Sequence, residues 1–95
     1  MLEITLVGNQ LVFKGELTRD SVMAYWPLAL LSELPKSTEF DLMALQHVDT
    51  AGLAWLLHQL SQAKQLGIHV TLRNMPQQLT SLAEVSAVFD LLPVA

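Results

Sequence analysis

Between Ala51 and Leu66 the sequence carries a helix pattern set tightly between two strand patterns, and few architectures accommodate that order. Leu53, Leu56, Leu57, Leu60 and Ala63 share one face at about 100° per residue, and Gly67 supplies a stop. Upstream, Glu39-Phe40-Asp41-Leu42 reads as a compact strand leading to Val48 and a turn at Asp49-Thr50. Downstream, Ile68, Val70 and Leu72 alternate with His69, Thr71 and Arg73. A helix serving as the connection between two strands brings them side by side and parallel, so a sheet with at least one parallel pair is required.

The flanking segments extend that sheet. Leu2, Ile4 and Leu6 alternate with more polar neighbours, and Leu11 to Phe13 follow the turn Gly8-Asn9-Gln10, which predicts an opening β-hairpin. Thr18 stands at an N-cap position before a helical stretch, Arg19 to Leu34, whose apolar residues Val22, Trp26, Leu30 and Leu34 recur every four positions. Pro27 lies inside it and should kink or split the helix. Pro76 suits the first turn of a third helix carrying Leu79, Leu82, Ala83 and Val85, and Leu91 to Val94 suggests a last short strand. The expected fold is α/β, a single domain over residues 1–95. Its mixed β-sheet has four to five strands and about three amphipathic helices, in the order β-β-α-β-α-β-α-(β).

Composition narrows the function. Five Lys and Arg against nine Asp and Glu give a net charge of −4, with no basic cluster to neutralise a run of phosphates, so nucleic acid is not an expected partner. The absence of cysteine excludes disulfides, thiolate metal sites and a Cys nucleophile. The longest apolar stretch, Val22 to Leu31, is interrupted by Pro27 and falls well short of the roughly 20 residues that span a bilayer, so no direct membrane insertion is expected. The opening Met-Leu-Glu-Ile-Thr lacks the basic and apolar regions of a secretory signal, which leads to the expectation of a cytoplasmic protein. His47, His58 and His69 are expected in a loop, on a helix and on a strand, without the spacing of a metal site. No glycine-rich phosphate loop and no paired nucleophile and base are present, so neither a cofactor nor catalysis is expected. A hydrophobic share of 52 % in so short a chain leaves apolar surface outside, which points to a protein partner.

The segment Val48-Asp49-Thr50-Ala51-Gly52-Leu53 brings a carboxylate and a hydroxyl to the start of the central helix. Either could cap that helix by accepting from its free N–H groups. The alternative is a switch, because a phosphate on Thr50 would add about −1.5 to −2 charge at the positive end of the helix dipole. Trp55 lies about 150 to 200° from Leu53 and Leu57, on the side that carries His58, Gln59 and Gln62. It is there either to anchor a partner or to be covered by a loop or the first helix. The candidate partner-facing residues are therefore Asp49, Thr50, Ala51, Trp55 and His58, with Thr50 the candidate phosphoacceptor.

Asp49-Thr50-Ala51-Gly52-Leu53 resembles the Asp-Ser/Thr-x-Gly-Leu motif of the STAS domain family. Gly15-Glu16-Leu17, Phe40-Asp41-Leu42 and Ser86-Ala87-Val88-Phe89 are similar, in order, to its Gly-Glu-Leu, its central strand and its closing turn. Phe-Asp-Leu, then Val-Asp-Thr-x-Gly-Leu-Ala-x-Leu-Leu-His and Val-Thr-Leu, resemble most the small STAS subunits of phospholipid ABC transporters. The resemblance implies a non-enzymatic adaptor that binds the transporter's cytosolic ATPase, with Thr50 at the contact. It would lie peripheral to the inner membrane and support outer-membrane lipid asymmetry. The alternative is an anti-anti-sigma factor, whose partner is an anti-sigma factor kinase that phosphorylates Thr50. Members of that kind typically continue into an extra carboxy-terminal helix, which is not expected here after Pro93-Val94-Ala95.

Overall fold

The hairpin forms as its alternation requires. In the computed structural model, which describes residues 1–95, β1 (Leu2–Val7) and β2 (Gln10–Leu17) pair antiparallel around Gly8-Asn9. Gly8 there takes φ +60°, a left-handed conformation that glycine adopts without steric cost. Leu2, Ile4, Leu11, Phe13 and Leu17 are buried, while Glu3, Thr5 and Lys14 are exposed on the opposite face.

The sheet continues through β3 (Ser37–Val48) and β4 (His69–Arg73) in the order β1-β2-β3-β4, with β2–β3 and β3–β4 both parallel. The α/β fold, mixed sheet and required crossovers are therefore present. β3 is longer than the expected Glu39–Leu42 because its pattern slips phase. Val12 and Lys14 of β2 face Asp41 and Ala44, and Gly15 and Glu16 face Leu45 and His47, so β3 carries an extra residue at each of two bulges. Inward side chains then fall at Phe40, Leu42, Leu45 and Val48, and strict alternation is lost. His47 consequently lies on a strand and not in a loop.

The crossover between β2 and β3 is not the single Arg19–Leu34 helix. It is a four-residue helix α1 (Arg19–Val22), a 3₁₀ turn Met23–Tyr25, an extended break at Trp26-Pro27, and a second 3₁₀ turn Ala29–Glu33. Pro27 has no N–H to donate and disfavours helical geometry in the residue before it, and Trp26 accordingly sits at φ −118°, ψ 101°. The other crossover, α2 (Thr50–Gln65), is one continuous helix, and α3 (Gln77–Val85) follows β4. The expected last strand reduces to one parallel bridge between Leu72 and Val94, after a 3₁₀ turn at Phe89–Leu91.

The core lies between the sheet and these connections, around Phe13, Phe40, Leu42, Leu56, Leu72 and Leu79. The rings of Phe13 and Phe40 are 5.3 Å apart, and Trp55 meets Phe13 edge-on at 6.3 Å. α2 buries Gly52, Leu53, Trp55, Leu56, Gln59 and Ala63. Its inward face is thus rotated from the expected Leu53–Leu56–Leu57–Leu60–Ala63 stripe, because the Arg19–Leu34 segment covers the far side. Leu57 and Leu60 are left half-buried, lining with Ile68, Leu91 and Pro93 an open groove of about 480 Å³.

Candidate functional site

Asp49 is the N-cap of α2 and divides its carboxylate between two elements. Oδ1 accepts from the Gly52 N–H at 2.8 Å, satisfying one of the helix's free donors, and Oδ2 accepts from the Arg19 N–H at 3.0 Å, at the start of α1. Its own N–H donates to the Leu17 carbonyl at 3.1 Å. Gly52 lies over that same carbonyl so closely that a Cβ would collide with it. The Asp-x-x-Gly spacing is therefore what lets α2 begin directly on the end of β2.

Thr50, the first residue of α2, is exposed, and none of the cap bonds uses its hydroxyl. Ala54 and His58 follow it at intervals of four on the same side and are also exposed, a ridge about 12 Å long. Ala51 is half-buried beside it. The His58 ring stacks against Trp26, with centroids 4.5 Å apart and planes inclined by 37°. Trp26 is 57 % exposed, so an aromatic flanks the ridge, and Met23, three residues earlier in the chain, is 73 % exposed.

Four of the five expected partner-facing residues, Asp49, Thr50, Ala51 and His58, are thus brought together at one surface. Trp55 is not: it is 3 % exposed, and its indole N–H donates to the Tyr25 carbonyl at 3.2 Å. It does lie on the expected side of the helix, but the Met23–Tyr25 turn covers that side, which is the packing role weighed against the anchor role. Gln59 is buried on the same side, and its Nε2 has no partner. The exposed tryptophan is Trp26, which shares a four-residue spacing with Val22 and Leu30 in the sequence but not a buried face in the fold. Pro27 was the signal that this spacing would not be realised.

A family model described as "Mlab, STAS domain" matches residues 1–93. The chain is 37 % identical over 79 residues to the intermembrane phospholipid transport system binding protein MlaB of Escherichia coli strain K12, covering 82 % of this chain and 79 % of that protein. Its identity to the MlaB of Haemophilus influenzae is 35 % over 81 residues, covering 80 % and 77 % respectively. Among solved structures, the unphosphorylated anti-sigma factor antagonist SpoIIAA superposes with a TM-score of 0.70 at 16 % identity, covering all of this chain and 88 % of that one. An anti-sigma factor antagonist from Mycobacterium paratuberculosis gives 0.69 at 17 %, covering 99 % and 83 %. At such identities the superpositions speak for a shared fold alone.

Proposed function

The chain belongs to the STAS domain family, and on that footing we propose that it is the non-enzymatic STAS adaptor subunit of an intermembrane phospholipid transport system. It docks on the cytosolic ATPase subunit of the transporter and is held at the inner membrane only through it. The ridge Thr50–Ala54–His58, with Trp26 beside it, is the contact. The observation that carries this reading is the division of labour at the start of α2: Asp49 makes the cap, and Thr50 stays exposed with nothing to do inside its own fold. The adaptor acts by linkage, shifting the ATPase toward the conformation it binds better by the difference in affinity and no further.

Thr50→Glu tests the placement. A carboxylate at the first residue of a helix is favourable in the free protein, so the variant folds normally. Buried unpaired in a contact, the same charge is costly, and affinity for the ATPase should fall by more than about tenfold. Copurification of Thr50→Glu with the ATPase at wild-type yield would refute it. Addition of wild-type protein should also change assembly or ATP turnover of the transporter.

The fold shared with anti-sigma factor antagonists, together with an exposed hydroxyl at a helix start, favours one second reading, a phosphoswitch at Thr50. Intact-mass measurement of the protein from native cells separates the two: a stoichiometric phosphate on Thr50 supports the switch, and an unmodified chain bound to the ATPase supports the adaptor.

A further inference from the structure

β3 runs seven residues past the end of its pairing with β4, which stops at the Asp41–Arg73 pair. On that side, the last residue before the Asp49–Thr50 turn therefore has no strand to bond. The Val48 N–H is instead taken by a side chain thirty positions away, the Oε1 of Gln78 in the first turn of α3, at 2.8 Å. Val48 is itself buried, so leaving its N–H without an acceptor would be costly. Gln78 is itself exposed, in the first turn of a helix whose next residue, Leu79, is fully buried in the core.

We propose that Gln78 is a positioning residue for docking: it stands in for a missing sheet neighbour at Val48 and so sets the direction in which the following turn presents Thr50. The inference rests on the adaptor reading above. The turn is held from two sides. The Asp49 N–H bonds the Leu17 carbonyl on the β2 side, and the Val48 N–H bonds Gln78 on the α3 side. Through Asp49 Oδ2 and the Arg19 N–H, the same turn also sets α1, which leads into Met23 and Trp26. A single glutamine outside the contact thereby steadies both halves of it.

Gln78→Met keeps length and helix preference but removes the acceptor, whereas Gln78→Glu keeps an acceptor oxygen. Amide exchange of Val48, followed by NMR on the full chain, should quicken roughly three- to tenfold in Gln78→Met while the amides of the β1–β2 hairpin keep their rates. Affinity for the purified ATPase subunit should weaken by a similar factor, and Gln78→Glu should restore both. If wild type binds and Gln78→Met binds equally well, the positioning role is wrong, even if Val48 exchange has quickened. Equal losses in Gln78→Met and Gln78→Glu would also overturn it, since the acceptor would not be the cause. A wild-type protein with no affinity for the ATPase would instead refute the docking reading itself, and with it the role assigned to Gln78.

Discussion

Asp49 uses both carboxylate oxygens on backbone N–H groups, and one side chain thereby caps a helix and tethers a second. A cap of this kind contributes about 1 kcal/mol, which alone explains an oxygen-bearing residue at this point. It does not explain a second one. Thr50 has no bond of its own in the cap, so capping does not account for its hydroxyl, whereas Gly52 has a reason entirely inside the fold. In an open helix Gly→Ala is stabilising, by roughly 0.5–1 kcal/mol. At position 52 the sign should reverse, because the added methyl would enter the Leu17 carbonyl, and backbone on backbone leaves no flexible end to move aside. Gly52→Ala is expected to destabilise by about 3 kcal/mol in urea unfolding. A midpoint at or above wild type would show that α2 can slide off β2, and the argument for the motif's spacing would fail.

At the scale of elements, the Arg19–Leu34 segment shows where a four-residue period misleads. Val22, Trp26, Leu30 and Leu34 match a helix on paper, but the residues actually buried are Val22, Leu28, Leu31 and Leu34. Beyond Pro27 the spacing is three, the period of the 3₁₀ turn that forms there, and Trp26 falls out of the stripe into solvent. The same segment then covers the side of α2 that had looked polar, taking Trp55 into the core. Of the two tryptophans, Trp55 is thus the covered one and Trp26 the exposed one. Their alanine variants should behave oppositely. Trp55→Ala is expected to cost about 3–5 kcal/mol of stability, since it empties a ring-sized volume against Phe13 and strands the Tyr25 carbonyl. Trp26→Ala should leave the melting temperature within a degree or so, roughly the scale of a surface change, yet weaken ATPase binding by about tenfold or more. A large melting shift in Trp26→Ala would mean that the His58 stack is structural and that the contact surface is drawn too wide.

For the whole molecule, alternation of strand and helix patterns was sufficient to derive a mixed sheet with parallel crossovers, because the positions of strands, turns and Gly67 are local signals. The far half of β3 was illegible, since two bulges break the alternation that marks a strand, and a bulge arises from pairing with β2 that no local window contains. The likewise non-local ties across the outer face are Gln10, Glu39 and Arg73, from β2, β3 and β4. Gln10 Nε2 donates to Glu39 at 3.2 Å and Arg73 Nε at 2.8 Å, and these donors hold the Glu39 carboxyl below its ordinary pKa. Folding thus favours the ionised form. The contact stabilises the sheet at neutral pH, and that contribution is lost as pH falls from the ordinary glutamate value, about 4.3, through the lowered one. Because Arg73 is half exposed, solvent screens the pair and the effect is small. Glu39→Gln keeps an acceptor for Arg73 but has no proton to gain. The melting temperature of wild type should therefore decline more steeply than that of Glu39→Gln on the acid side of this range, and the two should run parallel above it. Curves that stay parallel throughout would show that the three strands are held by their backbone ladders and buried faces alone, with Glu39 contributing nothing across them.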